Sequence, residues 1–121
     1  MRPRRRNRIL VVEDNIDLRE SITEILALNG FLASSAENGK AALDELERSW
    51  TPPALILLDL TMPVMDGVTF LHHLKQIPRL RKIPVLLMTA QETPPALDAA
   101  AVLQKPFTPA SLLSLMKRFL T

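Results

Sequence analysis

Short apolar runs alternate with amphipathic segments along this chain of 121 residues, and the alternation restricts the possible folds more than any other feature. Five runs are predicted as strands, and the first, rich in β-branched residues, has the pattern of a strand that is buried on both faces. These runs are 9–12, 31–36, 54–60, 84–88 and 101–103. Strands that alternate with helices form a parallel sheet with right-handed crossovers. We therefore predict an open, doubly wound α/β domain with five parallel strands.

A helix is predicted after each strand, and helix-breaking or capping residues mark several of the helix ends. The predicted helical ranges are 15–29, 40–48, 66–77, about 95–100, and a last helix from 109 onward. Gly30 and Pro78 follow the first and third helices, and Thr108 is placed to cap the last one. Pro94 and Pro95 leave room for only a short fourth helix. We expect Trp50 to cover the edge of the sheet.

The positive net charge of +2 comes from the first residues of the chain rather than from the predicted domain. Arg2, Arg4, Arg5, Arg6 and Arg8 hold five of the 15 basic residues, so 10 basic and 13 acidic residues remain from position 9 onward. We predict a disordered basic leader over 1–7 and one domain over 8–121. The alternative is that the leader is an arm that weakly contacts nucleic-acid phosphates.

Apolar run lengths and cysteine content limit the function classes. No apolar run approaches the roughly 20 residues of a membrane-spanning helix, so we expect no membrane partner. The chain has no cysteine, which excludes thiolate nucleophiles and thiolate metal sites and is typical of a reducing cytoplasm.

Polar side chains follow four of the five predicted strands. Glu13 and Asp14 follow the first, Asp59 ends the third, Thr89 follows the fourth, and Lys105 comes after the fifth. In a doubly wound sheet the carboxyl ends of the strands meet at one edge. We therefore expect three carboxylates, a hydroxyl and an ammonium group to form one site.

Three crowded carboxylates repel one another unless a cation lies between them. Oxygen ligands without thiolates favour a hard ion such as Mg²⁺, which commonly binds one or two carboxylates and a phosphate oxygen. This chemistry points to phosphoryl transfer. Asp59 is placed to act as a nucleophile that forms an acyl phosphate, and Thr89 and Lys105 are placed to bind the oxygens of the phosphoryl group.

At this point the sequence resembles a known family, the CheY-like receiver domains of two-component response regulators. Five stretches match the family in order: ILVVED (9–14), AENGKAAL (36–43), LILLDLTMPVMDG (55–67), VLLMTA (85–90) and KPF (105–107). The resemblance covers residues 8–121 and implies a flavodoxin-like sheet with strand order 2-1-3-4-5. It also implies a signalling domain that promotes its own phosphorylation and dephosphorylation rather than an enzyme in the usual sense.

The resemblance assigns roles to individual residues. Asp59 would be the phosphoacceptor, and Glu13 and Asp14 would bind Mg²⁺ together with Asp59 and the backbone carbonyl of Thr61. The phosphoryl donor would be a sensor histidine kinase or a histidine phosphotransfer protein.

Further roles follow from the same resemblance. Thr89 would be the switch hydroxyl, and Lys105 would pair with the phosphoryl group and precede a cis peptide bond to Pro106. Thr61 and Gln91 would tune how long the phosphoryl group survives.

Two departures from the family pattern concern the fourth helix and the switch. Thr89 and Lys105 are only 16 positions apart, which predicts a shortened fourth helix. Val102 occupies a position where the family usually has an aromatic residue that swings inward on phosphorylation. These departures motivate an alternative, a receiver-like interaction module that signals without phosphorylation.

A third possibility is a phosphohydrolase or nucleotide-binding enzyme on a similar sheet. The residue two positions after Asp59 is Thr61, where haloacid-dehalogenase-type phosphatases have a second aspartate. The chain also lacks the GxxxxGK[ST] and GxGxxG loops of nucleotide-binding proteins. We therefore favour the phosphorylated receiver, acting either as a single-domain regulator or as part of a longer chain.

Overall fold

A computed structural model of the chain describes residues 8–92 and 96–120. The predicted leader over 1–7 lies outside the described residues. The elements are β1 (Arg8–Val12), α1 (Ile16–Leu28), β2 (Leu32–Ala36), α2 (Gly39–Arg48), β3 (Leu55–Asp59), α3 (Gly67–Lys75), β4 (Val85–Thr89), β5 (Ala101–Gln104) and α4 (Pro109–Lys117). All five strands pair in parallel in the order β2-β1-β3-β4-β5. The predicted doubly wound sheet and its strand order are confirmed.

The sheet separates two apolar layers because successive side chains of a strand point to opposite faces. Leu10 and Val12 pack on the face that is covered by α2 and α3. Ile9 and Val11 pack on the other face, against α1 and α4. All five residues of β3 are buried, and so are those of β4. A shift of one residue in strand pairing would turn the side chains of each layer to the opposite face of the sheet. The apolar pattern therefore fixes the register of the strands, and with it the position of each strand end.

A side-chain cap starts every helix in the described part of the chain. Asn15, Asn38, Asp66 and Thr108 each accept a backbone N–H from the first turn of their helix. The hydrogen bonds from Thr69 hold the pKa of Asp66 below its usual value. These caps fix the helix starts at the carboxyl ends of the strands, which we call the upper edge of the sheet. The amino ends of the strands form the lower edge.

The connection between β4 and β5 differs from the prediction of a short helix over 95–100. Pro95 lies outside the described residues, and residues 96–100 are not helical. The amide of Ala100 already donates to the carbonyl of Val85 at 2.9 Å, and the amide of Ala99 donates to the carbonyl of Leu97 at 2.8 Å. The chain must turn and join β4 within these few residues. A helix of little more than one turn gains too few hydrogen bonds to offset its nucleation.

Trp50 does not cover the edge of the sheet, so that expectation is wrong. Its side chain is 99% exposed in the loop between α2 and β3. Arg79 binds the end of α2 instead. Its guanidinium donates hydrogen bonds to the backbone carbonyls of Leu46 at 2.7 Å and Ser49 at 3.5 Å. Arginine satisfies several carbonyls at once, whereas an indole offers a single donor.

Among the residues described, no helix has the length and apolar character needed to cross a membrane.

Candidate functional site

The upper edge of the sheet brings the predicted site residues into one open cleft of about 320 Å³. The cleft is lined by Glu13, Asp14, Asn15, Asp59, Thr61, Thr89, Ala90, Gln91 and Lys105. Val102 does not line this cleft, and its side chain is 43% exposed on β5. Sequence reasoning missed Asn15 and Ala90. Their positions directly after the acidic pair and after Thr89 were the signal that could have indicated them.

Lys105 joins two buried carboxylates across the cleft. Its Nζ lies 2.8 Å from Oε1 of Glu13 and 3.4 Å from Oδ1 of Asp59. Burial by itself lowers the pKa of Lys105, but the hydrogen bond and charge of Glu13, together with the charge of Asp59, outweigh it and raise the pKa overall. Lys105 is therefore an ammonium ion that partly offsets the crowded negative charge.

Asp59 ends β3 and is only 5% exposed. Burial, followed by the hydrogen bond and charge of Glu13, raises the pKa of Asp59 from 3.8 to about 7. Lys105 and the amide of Thr61, which donates to Oδ1 at 3.3 Å, act in the opposite direction. Without a further cation, Asp59 therefore titrates near neutral pH, whereas the nucleophile role predicted from the sequence would require the ionised form.

Glu13, Asp14 and Asp59 form a cluster that fits a divalent cation. One carboxylate oxygen of each lies within 4.8 Å of the others. Glu13 and Asp59 are buried and Asp14 is exposed, so the cluster opens to solvent on one side. Oxygen donors with an open side suit Mg²⁺, which usually keeps several water ligands. A divalent ion would also reduce the repulsion that raises the pKa of Asp59.

Glu13 is held in place through its backbone as well as its side chain. Its Oε2 accepts the amide of Asn15 at 3.2 Å, and its backbone carbonyl accepts the guanidinium of Arg19 at 2.8 Å. The bonds from Asn15 and Lys105 satisfy the carboxylate of a residue that is only 1% exposed. The position of this buried acid is thus fixed before any ligand binds.

The loop after β3 lies tightly against Asp59 because of Gly67. A Cβ atom at Gly67 would lie 2.6 Å from the backbone oxygen of Asp59 and 2.8 Å from Cα of Leu60. The Gly67 amide also donates to the carbonyl of Leu60 at 2.9 Å. Within the loop, Val64 adopts a φ of 70°, a left-handed conformation that is uncommon for a β-branched residue. The loop is therefore shaped to hold the backbone beside Asp59 and Thr61.

Thr89 and Lys105 are linked through the backbone on the other side of the cleft. The Lys105 amide donates to the Thr89 carbonyl at 2.7 Å, and the Thr89 hydroxyl accepts the Gln91 amide at 3.0 Å. The peptide bond between Lys105 and Pro106 is cis, as predicted. Thr89 is 3% exposed, so its hydroxyl is fixed beside the cleft.

The fold and this cleft define a class of α/β domain with an acidic, phosphate-compatible site at the carboxyl edge of a doubly wound sheet. The family model described as "Response regulator receiver domain" matches residues 9–117. The chain therefore belongs to the response regulator receiver domain family, whose members are signalling domains of two-component systems.

Known relatives agree with this assignment. The chain is 38% identical over 116 residues to the phosphate regulon transcriptional regulatory protein PhoB of Escherichia coli, covering 91% of this chain and 50% of that protein. The chain thus spans about half the length of this relative.

Solved structures show the same fold. A signal receiver domain of a histidine kinase from Syntrophus aciditrophicus is 34% identical, with a TM-score of 0.87 over 94% of this chain and 89% of that one. The response regulator TrrA of Thermotoga maritima, solved in complex with Mg²⁺ and BeF, is 27% identical, with a TM-score of 0.83 over 94% of this chain and 99% of that one.

Proposed function

We propose that this receiver domain accepts a phosphoryl group on Asp59 from the phosphohistidine of a histidine kinase or histidine phosphotransfer protein, with Mg²⁺ as cofactor, in the cytoplasm. The observation that carries the proposal is the position of Asp59. This buried carboxylate lies at the end of the central strand, beside two acids and within 3.4 Å of the Lys105 ammonium. The TrrA structure with Mg²⁺ and BeF supports the same chemistry in a relative.

The proposed transfer is a displacement at phosphorus. A carboxylate oxygen of Asp59 forms a bond to phosphorus while the bond from phosphorus to the donor's imidazole nitrogen breaks, and the electron pair stays on that nitrogen. Bound Mg²⁺ supplies positive charge that favours ionised Asp59 and offsets the charge of the phosphoryl oxygens. Glu13, Asp14, Asp59 and the backbone carbonyl of Thr61 would hold it.

Lys105 and Thr89 would receive the transferred group. In the structure, the Lys105 ammonium is bound to Glu13 and Asp59, and a phosphoryl oxygen on Asp59 would offer it a third anionic partner. The Thr89 hydroxyl lies in the same cleft and can donate to another phosphoryl oxygen. Thr61 and Gln91 line the same cleft, so their size and polarity would tune the access of water to the acyl phosphate and hence its lifetime.

The test uses acetyl phosphate as a small donor, with Mg²⁺, and gels that retard phosphoproteins. We expect a retarded band from the wild-type chain that is lost with EDTA and lost in Asp59→Asn. Asp44→Asn is a matched control because Asp44 is an exposed aspartate on α2, away from the cleft, and it should be phosphorylated normally. Equal labelling of wild type and Asp59→Asn would contradict the proposal.

A second function is favoured by one specific region. The connection before β5 lacks a helix in its described part, and Val102 replaces the usual aromatic residue. A receiver-like interaction module that signals without phosphorylation would keep this fold. Titration with beryllofluoride and Mg²⁺ separates the two functions, because such a module would show no change in the NMR signals of residues around Asp59.

A further inference from the structure

The lower edge of the sheet, opposite the acidic cleft, is rich in positive charge. Each strand begins there and each helix ends there, because the helices run antiparallel to the strands. The basic side chains at this edge form what we call the basic end. It consists of Arg8, Arg48, Lys75, Arg79, Arg81, Lys82, Lys117 and Arg118. The acidic residues at the same edge are fewer: Glu45, Glu47 and Asp98.

Two hydrogen bonds join the basic end to the backbone on either side of Trp50. Arg8 donates to the backbone carbonyl of Thr51 at 3.0 Å. Arg79 donates to the carbonyl of Ser49, the residue before Trp50. Arg8 and Arg48 also line one open cavity of about 280 Å³ at this edge. Arg8 and Arg79 thus bond to the backbone of the two residues that flank Trp50 in the sequence.

Exposed apolar side chains lie at the same edge. Trp50 is 99% exposed, Leu28 at the end of α1 is 79% exposed, and Leu32 at the start of β2 is 51% exposed. Leu32 pairs in register with Arg8, which places it beside the contacts described above. Among the large apolar residues that the structure describes, Trp50 and Leu28 are the two most exposed. Apolar side chains that are exposed at one end of a sheet offer a surface for contact with a protein or a membrane.

The combination of arginine, lysine, tryptophan and leucine on one surface matches the chemistry of an anionic bilayer. Indole rings favour the interface between lipid headgroups and acyl chains, and leucine side chains favour the acyl region. Basic side chains are attracted to anionic headgroups. The phosphates of a nucleic acid could bind the arginines, and one base could stack on the indole ring. Such a complex would leave Leu28 and Leu32 exposed.

We propose that the basic end docks on the surface of a membrane that contains anionic phospholipids, a peripheral contact that departs from the expectation of no membrane partner drawn from the sequence. Trp50, Leu28 and Leu32 enter the interface, and Arg8, Arg48 and Arg79 contact the headgroups. In the sequence, Arg2, Arg4, Arg5 and Arg6 precede Arg8, so further positive charge is attached to this end of the domain. Because the cleft around Asp59 lies at the opposite edge of the sheet, it stays open to water in the docked state.

The chain carries its own probe of this contact. Trp50 is its only tryptophan and it has no tyrosine, so the indole emission reports on this loop alone. We expect vesicles of phosphatidylcholine mixed with phosphatidylglycerol to shift the emission to shorter wavelength and to reduce quenching by acrylamide. Vesicles of pure phosphatidylcholine should change neither.

Two charge reversals on the same helix give a matched comparison. Arg48→Glu at the last residue of α2 should weaken partitioning into anionic vesicles by about tenfold or more. Lys40→Glu makes the same charge change near the start of α2, at the upper edge, and should bind like wild type. Leu28→Ser should also weaken binding, which tests the apolar contribution separately. Circular dichroism establishes that each variant is folded.

Several outcomes would overturn the proposal. One is an unchanged emission spectrum with anionic vesicles at low salt, and another is equal vesicle binding by Arg48→Glu and Lys40→Glu. A third is an emission change with single-stranded DNA but not with vesicles, which would assign the surface to nucleic acid. Asp59→Asn should bind vesicles normally, so failure of this proposal and failure of the phosphorylation proposal are distinguishable.

Discussion

At the scale of single residues, Asp59 combines burial with a charge that the proposed chemistry needs. Burial and the neighbouring Glu13 raise its pKa to about 7, while the contact with Lys105 is not close enough to cancel this effect. The folded chain without a divalent cation therefore holds Asp59 in an environment that favours its protonated form more than water does. Ionisation of Asp59 opposes folding under these conditions.

This environment predicts a stability that depends on pH. Because the pKa in the folded protein, about 7, lies above the ordinary 3.8, the folded state binds the proton more tightly than the unfolded state between these values. Without divalent cations, the free energy of unfolding should fall as pH rises through this window. Asp59→Asn should then raise it by on the order of 2 kcal/mol near pH 8 and change it little near pH 4.

Urea denaturation in EDTA, followed by circular dichroism at both pH values, measures this difference. Asp44→Asn removes an exposed carboxylate and should have no comparable effect at either pH. A destabilised Asp59→Asn variant near pH 8 would show that Lys105 compensates fully for the burial of Asp59.

Gly67 controls the backbone beside Asp59 by its lack of a side chain. In Gly67→Ala the new Cβ would meet backbone atoms of Asp59 and Leu60, which cannot move as a flexible side chain can. We expect a loss of about 2–3 kcal/mol in the free energy of unfolding and a slower reaction with acetyl phosphate.

Gly30→Ala is the comparison for Gly67→Ala. Gly30 has open space around it but a φ of 85°, so its substitution should cost about 1 kcal/mol through backbone strain alone. Its reaction with acetyl phosphate should be unchanged. Equal effects of the two substitutions on that reaction would show that the close approach to Asp59 does not matter for the site.

At the scale of elements, most of the strands and helices were predictable because their signals are local. The strand predicted over 9–12 is observed as Arg8–Val12, and helix α4 begins at Pro109 as its capping residue Thr108 indicated. The segment over 95–100 was predicted as a short helix and is not helical where it is described. Its path depends on the backbone pairing of Ala100 with Val85, a long-range contact that local pattern does not encode.

The edge strand β5 allows a test of the two faces of one element. Val102 is 43% exposed, whereas the neighbouring Leu103 is 8% exposed and packs in the core. We expect Val102→Ala to lower the free energy of unfolding by less than about 1 kcal/mol and to leave the acetyl phosphate reaction within about twofold of wild type. Leu103→Ala should cost about 2–4 kcal/mol because it opens a cavity.

Urea denaturation and the gel assay measure both effects. If Val102→Ala instead abolished the NMR changes that beryllofluoride causes elsewhere in the domain, this valine would be part of the switch despite lacking a ring.

At the scale of the whole molecule, cation binding and folding should be linked, because Glu13, Asp14 and Asp59 meet only in the folded chain. Mg²⁺ at about one hundred times its dissociation constant should raise the free energy of unfolding by about 2.7 kcal/mol. Asp14→Asn should remove most of this gain. Asp17→Asn, another exposed aspartate at the start of α1, should retain it.

Thermal unfolding at a series of Mg²⁺ concentrations measures the linkage. A midpoint that does not respond to Mg²⁺ in the wild-type chain would contradict the proposed metal site. A midpoint that responds equally in Asp14→Asn and in wild type would exclude Asp14 from it.

The residues of the candidate site were predictable because the strand ends converge. The ion pairs that form among these residues were not predictable. The residue types and their positions at strand ends indicated Asp59, Glu13 and Lys105 together. That Lys105 binds Glu13 more closely than Asp59 depends on side-chain packing, which a linear pattern does not contain. The basic end is a second feature that could not be predicted from the sequence. Its residues are scattered along the chain and meet only because every helix ends at the same edge of the sheet.

The span between Glu13 and Lys105 has a consequence for how the protein is made. These partners lie 92 positions apart and directly follow β1 and β5, the first and last strands along the chain. On the ribosome, β1, β2 and β3 emerge first, and the ammonium group that offsets the carboxylates emerges only after position 105 has been synthesised. A nascent chain can therefore assemble three of the five strands while its acidic cluster still lacks its lysine, and phosphoryl transfer should be confined to chains in which β5 and Lys105 have emerged.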